Sequence, residues 1–111
     1  MNREIIFYKD YFLDFYNEQT SSVRRKINYV LDVVRYLPII PETFFKHVEG
    51  TNGLYEIRIA VGTNIFRVFC FFDDGNLIVV ANGFQKKTQK SPKGEINRAE
   101  RIRKEYYAEK N

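Results

Sequence analysis

The chain has 111 residues and a net charge of +4, with 18 Lys and Arg against 14 Asp and Glu. That length suits one domain spanning residues 1–111, and its apolar and aromatic content is ample for a core. A lone cysteine, Cys70, excludes an internal disulfide. No stretch has the length and apolarity of a membrane span or signal peptide, so a reducing cytoplasm is the expected compartment. The modest basic excess favours nucleic acid, acidic proteins or anionic surfaces as partners.

In chain order, Arg3 to Tyr8 reads as a short strand that joins the main sheet. Asp10 is placed to cap a helix over Tyr11 to Glu18, with Phe12, Phe15 and Tyr16 at helical spacing. Gln19 to Ser22 is a polar break, with Ser22 the expected cap of a second helix. Val23, Ile27, Val30, Leu31, Val34 and Leu37 form one stripe of that helix. Arg24, Arg25 and Lys26 near its start oppose the helix dipole and read as a solvated face. Pro38 ends the helix. Pro41 to Phe45 opens one short turn of helix. His47, the only histidine, reads as a packing residue beside Phe44 and Phe45.

Gly53 to Lys87 reads as three antiparallel strands. Gly62-Thr63 fits a Gly-first two-residue turn, and Asp74-Gly75 fits a type I′ turn. The first turn pairs Val61 with Asn64, Ile59 with Phe66, Ile57 with Val68 and Tyr55 with Cys70. It sets Arg58 directly across from Arg67. The second turn, if two residues long, pairs Phe72 with Leu77 and Arg67 with Asn82. Alternation then gives one face Tyr55, Ile57, Ile59, Phe66, Val68 and Cys70. The other face takes Glu56, Arg58, Arg67, Asn82, Phe84 and Lys86. Facing arginines repel. The arrangement is tolerable if an anion lies between them, if Glu56 bridges them, or if both splay into water.

Ser91-Pro92 marks the start of a last helix, with Ser as cap and Pro at the first position. Ile96, Ala99, Ile102 and Tyr106 make its apolar stripe, and its basic residues are interleaved with Glu95, Glu100 and Glu105. No phosphate-binding glycine loop, metal-ligand spacing or serine-elbow motif is present, so no cofactor or metal is expected.

GLYEIR, FRVF, NGFQKKTQKSP and the helix opening EINRA together resemble the phage-derived, HigB-like branch of the RelE/ParE superfamily. The resemblance spans nearly the whole chain. It implies an α+β fold of strand, two helices, antiparallel strands and a C-terminal helix. It implies a toxin of a type II toxin–antitoxin system, partnered by a small helix-turn-helix antitoxin. The RelE and HigB type cut mRNA at the ribosome, and the ParE type poisons DNA gyrase. The nuclease is the first expectation; a gyrase poison or a non-catalytic RNA-binding module is the alternative. The family motif falls on Glu56, Arg58, Arg67, Lys86 and Lys87 as catalytic candidates. The chain departs from RelE in ending on a long helix, and it lacks the histidines that some HigB toxins carry.

Cleavage of RNA by its own 2′-hydroxyl needs a base, cations at the crowded phosphorane, and an acid for the leaving oxygen. Arg58 and Arg67 suit the phosphorane, because the guanidinium fork holds phosphate oxygens and stays charged. Lys86 or Lys87 suits the base if neighbouring charge lowers its pKa. Glu56 is a rival base or the residue that orients Arg58. Asn82 and Phe84 are candidate substrate contacts, with Phe84 either stacking a base or packing in the core. Tyr106 and Tyr107 are candidate acids.

Overall fold

A computed structural model describes residues 2–88 and 92–110. The elements run β1 (Glu4–Phe7), α1 (Tyr11–Asn17), α2 (Ser21–Tyr36), β2 (Phe45–His47), β3 (Leu54–Val61), β4 (Asn64–Asp73), β5 (Leu77–Lys86) and α3 (Lys93–Lys110). They form the expected α+β arrangement around one sheet of order β1-β5-β4-β3-β2. β1 is parallel to β5, and the other neighbours are antiparallel. Among the described residues no helix is long and apolar enough to cross a membrane.

The stripe of α2 folds as its period demands as far as Val34, while Leu37 lies past the helix end and is exposed. Val23, Ile27, Val30, Leu31 and Val34 join Phe12 and Phe15 of α1 over Ile57, Ile59, Phe66, Val68 and Cys70. The caps differ from expectation. Thr20, extended at φ −68°, accepts the Val23 N–H on its hydroxyl, so α2 begins before Ser22. Asp10 makes no side-chain cap; its backbone carbonyl accepts the Asp14 N–H instead. Leu37 is extended ahead of Pro38, as the proline ring requires. The expected Ser91 cap lies outside the described residues.

Pro41 accepts the Phe44 and Phe45 N–H groups in a single turn, and the chain then enters β2. Sequence reading places no strand there. β2 pairs Phe45 with Ile57, Lys46 with Glu56 and His47 with Tyr55. His47 packs edge-on to Tyr55, on the side of the sheet away from Glu56.

Every β3–β4 pair matches the register worked out from the Gly62 turn, including Arg58 opposite Arg67. The second hairpin corrects the expectation. Asp73 pairs with Leu77 across three loop residues, with Asp74 and Gly75 both at positive φ. Phe72 therefore faces Ile78, not Leu77, and a bulge between Val68 and Cys70 shifts the pairing once more. Arg67 ends opposite Phe84, not Asn82. Each change flips the parity of β5, so the two together restore it. Phe84 and Lys86 return to the face of Arg67. The run Leu77 to Ala81 is apolar on both sides, which is why its register was not readable from alternation. Beyond the bulge, Gly83 lies under α1. A Cβ there would sit 2.5 Å from Phe15 Cδ2, so the helix seats on the sheet through this glycine.

Candidate functional site

The site arises from incomplete cover. α1 and α2 close one sheet face, while α3 lies on the other face over β4 and β5. Beneath α3 are Leu54, Phe69, Phe71, Val79 and Phe84, packed with Val48 and Ala99. Polar contacts along its length hold the helix down. Asn82 Nδ2 donates to the Glu95 carbonyl at 3.2 Å and to Glu95 Oε1 at 3.0 Å. Arg103 donates to the Asn52 carbonyl at 2.8 Å. At the far end Tyr106 and Lys110 reach one Asp73 oxygen, at 2.7 and 2.8 Å, and hold that carboxyl below its usual range. Toward the β3–β4 turn, Glu56, Arg58, Arg67 and Lys86 share the part of the face from which Lys46 projects.

Glu56 is the hub. Its Oε2 lies 3.1 Å from Arg58 Nε and 3.1 Å from Arg67 Nε. The approach is close in distance but poorly aligned as hydrogen bonds, so the contacts are best described as ion pairs. Of the three ways to tolerate facing arginines, the fold uses the Glu56 bridge. Arg58 also donates to the Glu42 carbonyl at 3.0 Å, and Arg67 to the Phe66 carbonyl at 3.1 Å. Arg67 is only 6% exposed and Glu56 7%. Burial lowers the Arg67 pKa; Glu56 works against that shift and Arg58 adds to it. Lys86, part-buried at the end of β5, is also held below the usual lysine value. Burial is the largest cause, followed by Arg67, with Arg58 and Lys46 adding and Glu56 opposing.

Lys87 is exposed just past the strand end. With Lys86 it lines a shallow cleft of about 590 Å³, together with Thr63, Asn64, Ile65, Gln85 and Thr88. The remaining candidates are covered by α3 or distant from the arginines. Asn82 is fully buried under α3, and Phe84 is buried against Phe69 with ring centroids 5.1 Å apart. Tyr106 and Tyr107 bond to Asp73, six positions along β4 from Arg67. At about 3.3 Å per residue that is roughly 20 Å away, and both hydroxyls have raised pKa values, Tyr106 chiefly through its bond to Asp73 and Tyr107 chiefly through burial.

Lys46 was missed by sequence reading. It is exposed on β2 opposite Glu56. The signal was the alternation of Phe45, Lys46 and His47, too short to separate from a turn. Among the described residues, no cluster of His, Cys, Asp and Glu is placed to hold a metal. The arrangement suits an anion: two guanidinium groups fixed by one carboxylate, with a lysine of lowered basicity beside them.

The pattern of the family described as "Phage derived protein Gp49-like (DUF891)" matches residues 14–104. No curated protein matches the sequence. The fold is similar to a chain of the crystal structure of the archaeal RelE–RelB complex from Pyrococcus horikoshii OT3. The two are 18% identical with a TM-score of 0.53, over 82% of this chain and 100% of that one. At that identity the likeness concerns the fold, which is RelE-like.

Proposed function

The chain belongs to the phage-derived Gp49-like family, and on that premise we propose that it is a HigB-like toxin of a toxin–antitoxin pair that cleaves mRNA on the ribosome. One observation carries the reading: Glu56 Oε2 stands 3.1 Å from both Arg58 Nε and Arg67 Nε, on the sheet face away from α1 and α2. A purely structural strand has no need of facing arginines, one of which, Arg67, is buried at a cost in desolvation. The RelE-like fold supports the toxin role.

In this mechanism the neutral amine of Lys86 takes the proton of the 2′-hydroxyl. The 2′-oxygen attacks phosphorus, and the bond to the 5′-oxygen breaks. Arg67 and Arg58 stabilise the charge gathered on the phosphorane oxygens. Glu56 orients both guanidinium groups and is not the base, because its carboxylate is already committed to them. Lys87, on the cleft wall, returns a proton to the leaving 5′-oxygen. The products are a 2′,3′-cyclic phosphate and a 5′-hydroxyl end. The ribosome supplies positioning, and proximity of this kind lowers a barrier by roughly 7–11 kcal/mol.

The test is induction of the protein with mRNA ends and plasmid topology followed together. New 5′-hydroxyl ends with unchanged supercoiling are expected. Growth arrest with altered supercoiling and intact mRNA would overturn the reading in favour of a gyrase poison.

A further inference from the structure

The nuclease reading requires one phosphate gripped by Arg58 and Arg67, yet the face carries more charge than one phosphate uses. On the face away from α1 and α2, β2 to β5 hold four cations, Lys46, Arg58, Arg67 and Lys86, against two carboxylates, Glu56 and Asp73, and Asp73 is paired with Lys110 of α3. They are spread along a diagonal. Lys46 pairs with Glu56, Arg58 lies two residues further along β3, and Lys86 pairs with Ile65, two residues beyond Arg67. Lys46 and Lys86 are three strands apart, about 14 Å across at ~4.8 Å per strand, and about 13 Å apart along the strands. No single phosphate fills that span.

The surroundings favour a path in the same direction. α3 packs over one end of this face, above Phe69, Phe71 and Val79. On the β2 side the sheet ends at an edge strand, so a chain can leave past Lys46. On the β5 side the track runs into the cleft walled by Ile65, Lys86 and Lys87. We propose that single-stranded RNA crosses the strands diagonally from β2 to β5, and that Lys46 holds a phosphate flanking the one gripped by Arg58 and Arg67. Lys46 is thus a positioning residue outside the reacting centre, and this assignment rests on the nuclease reading for the identity of the strand. Charge count and spacing place Lys46 on the track independently of the reaction.

Oligodeoxynucleotides test it, because they lack the 2′-hydroxyl and cannot be cut by this route. A dinucleotide has one phosphate; an octanucleotide can fill the track. Affinity is measured against salt concentration for the parent protein, Lys46→Ala, Lys46→Arg and Arg67→Ala, with a melting curve for each. For a single strand the slope of log affinity against log salt changes by about 0.7 per phosphate contact. Lys46→Ala should make the octanucleotide slope shallower by about 0.7 and leave dinucleotide affinity unchanged. Lys46→Arg should restore the slope, and Arg67→Ala should weaken both ligands. An unchanged octanucleotide slope in Lys46→Ala overturns the proposal, as does equal weakening of both ligands or a parent protein that binds neither. mRNA-end mapping separates the two readings. Slopes as expected without mRNA cleavage retain the track and remove the nuclease; cleavage with an unchanged Lys46→Ala slope does the reverse.

Discussion

Arg67 is a guanidinium at 6% exposure between Phe66 and Val68, the position where its loss should separate chemistry from folding. Arg67→Ala leaves Glu56 with Arg58 as partner, so the variant should melt lower than the parent yet fold. Its mRNA cleavage should fall roughly 100- to 1,000-fold, the loss expected for one preorganised charge stabiliser. Arg67→Lys keeps the charge without the planar fork and should recover only part of the rate. A Lys variant that cuts mRNA like the parent would remove the phosphate-gripping role. Lys86 gives a second prediction. Its pKa is lowered, so its protonated form weighs against folding at neutral pH. That cost is relieved as pH rises through the folded pKa toward the unfolded value of 10.5. Lys86→Met should therefore melt higher than the parent at neutral pH, with the gap closing as pH approaches 10.5. The same substitution should abolish cleavage. In the parent, cleavage should rise with pH up to the lowered pKa, and Lys86→Arg should lose activity and that limb of the profile together.

At the scale of elements, the seating of α1 on β5 depends on Gly83. Gly83→Ala places a methyl 2.5 Å from the Phe15 ring, with backbone and helix both constrained. Overpacking of this kind costs about 1–3 kcal/mol, seen as a lower melting temperature. A Phe15→Leu change in the same chain should recover part of the loss, because the clash and its relief involve one contact. Additive effects of the two changes would place the strain elsewhere. The bulge beside this glycine matters for the site as well. Without it, the three-residue turn at Asp74 would leave Lys86 on the α1 side of the sheet.

At the scale of the molecule, helices cover one sheet face, and the opposite face is open where Lys46, Arg58 and Lys86 stand. Under the proposed function, an antitoxin would neutralise the molecule by covering that opening or by keeping it off the ribosome. Co-expression with a small helix-turn-helix protein encoded beside this gene should restore growth and yield a co-purifying complex. Restored growth without a complex, or a complex that still arrests growth, would count against direct neutralisation.

Sequence alone determined what short-range rules govern. The Gly-first turn at Gly62 and the alternation of Tyr55 to Ile59 specified the β3–β4 register, and with it Arg58 opposite Arg67. The stripe of α2 specified its buried side. Tertiary structure decided the rest, because each remaining feature depends on which layer covers which residue. Leu77 to Ala81 is apolar on both faces, so only the packed layers reveal the longer turn and the bulge. Three residues have no readable period, so β2 and the place of Lys46 emerge only from pairing with β3. The course of α3 buries Asn82 and Phe84 and carries Tyr106 and Tyr107 to Asp73, far from Arg67. Alternation assigns a side chain to a face, but whether that face is wet or covered is set by a helix that arrives from elsewhere in the chain.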